Sequence, residues 1–230
     1  MKIKMYLMCL LILLSISGCQ QSKPPSVLDN NTCDLPCWNE IRLGVTTANE
    51  FEAKLNNLEI VQIDSILLNK GKWSIFENQS FFQITNSNIQ STAYFIEEKI
   101  VLLDFWGDLD ITFEQIMDLV GEPEYIINIP MSVGVPGFPT TSFSVNVIYP
   151  TSGILIVYNT RDLEKNKRSV ISPDIQIKLL ALFDPSIYDQ LLEEGLLSQS
   201  MLDREETLKY MRDWKGFGDL NEKYPPAILH

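Results

Sequence analysis

Histidine is all but missing from this 230-residue chain: the one present is the last residue, His230. A Ser-His-Asp or Cys-His system needs an imidazole to take up and return a proton, so no such nucleophile can be assembled within the chain. The same lack deprives zinc of its usual nitrogen ligand. The 11 glycines never gather into a phosphate-cradling loop or a dinucleotide fingerprint. Positive charge is scarce as well. The 18 Lys and Arg stand against 30 Asp and Glu, a formal net charge of −12, which repels nucleic acid and anionic lipid headgroups alike. Paired carboxylates for glycoside hydrolysis remain open, because so many acids always offer pairs, yet no spacing singles out two. The sequence thus names no catalytic residue, no metal ligand and no cofactor.

A 45% hydrophobic and 21% charged composition is that of a globular protein with a real core. Residues 1–18 account for the apolar start. Lys2 and Lys4 precede an apolar run from Met5 to Ile16 that is too short for a comfortable membrane span, the pattern of a secretory signal peptide. The run closes on Ile16-Ser17-Gly18-Cys19, which resembles the bacterial lipobox. That resemblance implies cleavage before Cys19 and lipid attachment to it, and acyl chains contribute roughly 0.8 kcal/mol per buried methylene to membrane attachment. Losing Lys2 and Lys4 leaves a net charge of −14. The expected location is a cell membrane or outer membrane, lipid-anchored and extracytoplasmic; Gln20 after the cysteine favours sorting to the outer membrane where there is one. Residues 19–32 are polar, carry Pro24-Pro25, and read as a flexible tether with a reach of about 20 Å.

Cys33 and Cys37 remain after Cys9 leaves with the signal and Cys19 takes lipid. An oxidising exterior favours pairing them, which would contribute about 2 kcal/mol through loop closure. A redox pair is the alternative, although that motif has two intervening residues and this one has three. Thr47-Ala-Asn-Glu50 then reads as a capping box opening a helix that carries Phe51, Leu55 and Leu58. Strand-like segments follow to Phe105, with a hairpin at Glu97-Glu98-Lys99. Thr112-Phe-Glu-Gln115 opens a second helix, with Ile116, Leu119 and Val120 on one face, and strands return from Glu124 to Phe183. The order of helix then antiparallel strands occurs twice. This divides the chain into units at 33–107 and 108–183 and a helical segment at 184–230, whose helices start at Asp184-Pro185 and near Asp203, the second reaching Trp214. The fold class is α+β, short capped helices packed on antiparallel sheets.

Pro130 to Ser142 reads as a long loop, and long loops in compact domains are often binding elements. Met131, Val133, Val135 and Phe138 would be costly to expose there, which marks them as candidate partner-binding residues. Asp104, Asp108 and Asp110 cluster around Trp106, as a calcium loop or as a solvated turn, without the ligand alternation of a calcium hand. Arg161, Lys165, Lys167 and Arg168 form the one basic patch, mixed with acids. Four tryptophans at 38, 73, 106 and 214 could form a carbohydrate platform but are spread along the chain.

Two resemblances rest on these residues. Cys33-x-x-Pro36-Cys37-Trp38 with Ile41-x-x-Gly44-x-Thr46-Thr47 resembles a block in a family of uncharacterised bacterial membrane-anchored lipoproteins. Gly121-Glu-Pro123 and Asp213-Trp214-Lys-Gly216-Phe-Gly218 are similar to later landmarks of that family. More distantly, Leu43, Gly44 and Thr46 before one helix and Gly121 and Pro123 after the next are similar to the small lipoprotein of the outer-membrane β-barrel assembly machinery, implying helix-then-sheet architecture. The expected function is a lipid-anchored extracytoplasmic binding or scaffold module for another envelope protein or a ligand. The rival is an extracytoplasmic carboxylate-dependent hydrolase.

Overall fold

The computed structural model describes residues 27–28, 33–58, 61–65, 75–84, 87–135, 138–159, 170–198 and 202–225, without the side chains of 62–65, 130–143 and 159. Two threonines set its frame. Thr47 caps α1 (Ala48–Asn56): its hydroxyl accepts from the Glu50 amide at 3.3 Å, and the Glu50 carboxylate accepts from the Thr47 amide at 2.9 Å. The Thr47 backbone and hydroxyl donors hold the Glu50 carboxyl below its ordinary range. Thr112 and Gln115 repeat the reciprocal pair at the head of α2 (Phe113–Val120), at 3.3 and 2.8 Å. Each box satisfies two amides that a helix start would otherwise leave unpaired.

The strands are β1 (Val61–Ser65), β2 (Asn78–Ile84), β3 (Gln90–Ile96) and β4 (Lys99–Trp106) in the first half, and β5 (Tyr125–Val135), β6 (Phe138–Tyr149), β7 (Ile154–Asn159) and β9 (Leu179–Phe183) in the second. Together with β10 (Met211–Asp213) they form one nine-stranded sheet in the order β1-β2-β3-β4-β9-β7-β6-β5-β10. Every ladder in it is antiparallel. A small second sheet pairs β8 (Val170–Ile171) with β11 (Gly218–Asp219). The two halves are mirrored in order from β1 to β4 and from β5 to β9, last strand central, with β10 added outside β5.

The halves also match bond for bond. The Ala48 amide donates to the Glu98 carbonyl at 2.8 Å and the Ile100 amide to the Thr46 carbonyl at 3.0 Å. In the second half the Phe113 amide donates to Ile175 at 3.0 Å and the Ile177 amide to Ile111 at 2.9 Å. Between each couple lies an isolated bridge, Thr47 with Lys99 and Thr112 with Gln176. The helix cap is therefore joined the same way twice, to the start of β4 and to the segment leading into β9, a match of backbone geometry where side-chain identity is low. The units expected at 33–107 and 108–183 are thus halves of a single sheet, closed where β4 meets β9.

Apolar side chains fill both faces of that sheet. On one, α1, α2, the cysteine block and the C-terminal turn around α5 (Leu220–Lys223) enclose Trp38, Phe51, Phe82, Phe105, Phe113 and Tyr224. On the other, α3 (Tyr188–Glu193) and α4 (Arg204–Tyr210) cover Ile127, Ile148, Val157 and Phe183. Alternation along β4 explains the division: Leu103 and Phe105 serve the first core, Leu102 the second.

The structure corrects four expectations. Residues 130–135 and 138–142 are strand, not loop: Pro130 pairs with Phe143 and Val135 with Phe138, a two-stranded extension beyond the last residues that β7 and β10 reach. The helix expected to reach Trp214 stops at Tyr210, and Met211 to Asp213 pair with β5. Leu119 is 62% exposed and leaves the α2 face to Phe113 and Ile116. Within the expected tether, Val27 is buried and its carbonyl accepts from Trp38 Nε1 at 2.8 Å, so the chain is held to the domain before Cys33.

Candidate functional site

The run Ile100-Val-Leu-Leu-Asp104-Phe-Trp106 is apolar but for one carboxylate. Strand alternation turns Leu102 and Asp104 toward the α3 face. Register sets Asp104 directly between Thr92 on β3 and Ala181 on β9, with Leu155 of β7 beyond. Ala181 is the reason there is room. A methyl group between the larger residues Leu179 and Phe183 leaves a pocket of about 220 Å³, floored by these residues and by Tyr94 and Leu102.

The roof is Leu191 of α3 with Gly195, Leu196 and Leu197. It folds back over the sheet because α3 ends in a Schellman turn: the Leu196 amide donates to Leu191 at 2.9 Å, the Gly195 amide to Leu192 at 3.2 Å, and Gly195 takes φ +70°. That left-handed φ is natural for glycine. Fully buried Asn146 on β6 then fixes the roof from below, its Nδ2 donating to the Leu197 carbonyl at 2.9 Å. Ser198 closes the turn by donating to the Gly195 carbonyl at 2.8 Å.

Within this apolar chamber Asp104 accepts from the Thr92 amide at 2.9 Å and from the Tyr94 hydroxyl at 3.4 Å. Burial pushes its carboxyl up to about 6, against the pull of the Thr92 and Tyr94 hydrogen bonds. Asp104 nonetheless keeps partial access, as a pocket-lining group does. Burial and the Asp104 charge together push the Tyr94 phenol far above its ordinary range, so it stays a donor. None of the ion pairs among the described residues involves Asp104.

A raised carboxyl makes the folded state bind a proton that the unfolded chain has already released. Stability contributed by Asp104 is therefore present at about pH 4 and is lost as pH rises toward about 6. Denaturant melts of wild type and Asp104→Asn across this window should diverge toward its neutral end, where wild type carries the buried charge and the neutral amide does not, the variant showing the shallower slope. Parallel curves would mean that Asp104 is not buried as described.

The other candidate residues stand apart. Cys33 and Cys37 lie at disulfide distance, Cα atoms 5.7 Å apart, on the core opposite the pocket. Cys19, the tether around it, Trp73, Arg161, Lys165, Lys167 and Arg168 lie outside the described residues. Met131, Val133, Val135 and Phe138 are described in backbone only. Asp108 pairs at the surface with Lys178 at 2.9 Å, away from Asp104. Among the described residues no three acids, histidines or cysteines converge as metal ligands. Trp38 and Trp214 are packed among other rings, and Trp106 is 47% exposed at the end of β4.

No protein-family model, no curated protein and no solved structure matches the chain.

Proposed function

We propose that this is a lipid-anchored extracytoplasmic binding protein whose ligand sits in the pocket between the sheet and the α3 roof. The observation that carries the reading is an apolar pocket of about 220 Å³ with a single carboxylate among the described residues of its lining. Mostly apolar walls with one or two fixed polar groups are what small-ligand sites consist of. The lipobox-like Ile16-Ser17-Gly18-Cys19 supports the anchor and an envelope location. No described helix is long and apolar enough to cross a membrane.

The hydrolase reading asks for two carboxyl groups about 5–9 Å apart. Among the described residues Asp104 is the one carboxylate lining the pocket, so binding is the better supported of the two. An envelope protein as the bound partner is the remaining form of the same reading.

Ala181→Phe tests it, because the added ring would occupy the pocket floor. A small-fragment screen by ligand-observed NMR is expected to give hits with wild type that vanish in Ala181→Phe. Hits that persist unchanged would move the site elsewhere. A blank screen with wild type would end the small-ligand reading and turn the search to protein partners by crosslinking in native membranes.

A further inference from the structure

Resting on the pocket as a ligand site, the geometry points to its ligand class: we infer a small organic cation of roughly nine non-hydrogen atoms, an ammonium on an apolar body, the ammonium meeting Asp104. The size follows by scaling from the cavity of about 150 Å³ that holds benzene to this one of about 220 Å³.

The charge follows from what the pocket lacks. A carboxylate offers about four acceptor positions. The Thr92 amide and the Tyr94 hydroxyl take two, and the Thr92 hydroxyl bonds to the same group. All three donors are neutral, so the hydrogen-bond demand is largely met while the charge is not. A carboxylate enclosed without a counter-ion is costly, and a cation brought by the ligand removes that cost.

Among the described residues, the groups facing Asp104 bring no positive charge. From β3 come Thr92 and the protonated phenol of Tyr94; β9 offers Ala181. The described residues of β7 and the α3 roof contribute no charged side chain to the lining. A neutral alcohol could donate one hydrogen bond to the carboxylate but would leave the charge standing. An anion would oppose it. The net charge of −12 also draws cations toward the surface and repels anions at the encounter stage. Apolar walls, including Phe183 and the Tyr94 ring, select against metal ions and against the most hydrated polyamines, since neither can replace its water shell there.

The test uses the full-length protein and three isosteric probes, benzylamine, benzyl alcohol and benzoate, with toluene as a neutral apolar reference, followed by calorimetry or NMR. Benzylamine is expected to bind at least tenfold more tightly than benzyl alcohol at pH 7.5, and benzoate not at all. The preference should shrink as pH falls from 7 to 5, because protonated Asp104 no longer attracts the ammonium. Asp104→Asn should retain toluene binding and lose the amine preference. Toluene and benzyl alcohol binding as tightly as benzylamine would overturn the cation assignment while leaving the pocket intact. If no probe binds wild type, toluene included, the pocket reading itself falls. Should Asp104→Asn not fold, the pH profile of wild type decides alone: an amine preference that does not change between pH 5 and 7 overturns the proposal.

Discussion

Replacing Trp38 by alanine is expected to lower the unfolding free energy by about 3–5 kcal/mol, the range for truncating a buried large aromatic. The indole is fully buried, its ring 4.9 Å from Phe105 and 5.9 Å from Phe82. Its Nε1 also donates to the Val27 carbonyl at 2.8 Å, so the substitution strands a buried acceptor as well as opening a cavity. Trp38 further pairs with Ile41 in both directions, at 2.8 and 3.0 Å, which seats the cysteine block against the sheet. Trp106→Ala, at a site 47% exposed, should cost far less, under about 1 kcal/mol. Urea melts of the two variants decide the matter. Similar losses would mean that the cysteine block is not part of the core.

Gly153→Ala should do comparable damage for a different reason. Gly153 sits in the β6–β7 turn at φ +63°, and a Cβ there would collide with the Phe183 carbonyl oxygen. The same two residues are joined in the other sense, the Phe183 amide donating to the Gly153 carbonyl at 2.7 Å. The alanine must therefore force backbone from backbone, and a loss of about 3 kcal/mol or more is expected, beyond the roughly 1 kcal/mol of left-handed strain alone. Gly121→Ala separates the two contributions, since it has φ +89° but nothing within 4 Å of the added carbon. Equal midpoints for the two variants would show that the approach at Phe183 relaxes freely. Because Phe183 lines the pocket, Gly153→Ala should also weaken ligand binding in whatever fraction remains folded.

Local chemistry was readable from the chain, and long-range assembly was not. Thr47-x-x-Glu50 and Thr112-x-x-Gln115 identify their helices because a capping box is satisfied within four residues. Glu97-Glu98 turns its hairpin as expected, both residues at positive φ. The extension at 130–142 reads as loop because Pro130, Gly134 and Pro139 interrupt a strand pattern, yet such breaks are tolerated where few neighbours need the missing donors. Met211 continues the helical spacing from Leu208, and only the open edge of β5, distant in sequence, pulls it into a ladder. The pocket draws on β3, β4, β7, β9 and the turn after α3, so no window of sequence contains it. Its one local signal is Asp104 within an apolar run. Proximity along the chain groups that residue with Asp108 and Asp110, whereas alternation along β4 sends it to the α3 face.

The meeting of β4 with β9 has a consequence for how the chain is made. Synthesis delivers the N-terminal half first, so β4 is complete well before its partner exists, and its outer edge stands open in the interval. An open, apolar strand edge is a template for pairing with another chain, and one protection against that is a charge placed within it. Asp104 is that charge, in the middle of the transiently exposed strand. The carboxylate assigned here to ligand recognition would then also guard the half-built sheet, its cost in the finished fold being set against the chain reaching that fold unaggregated.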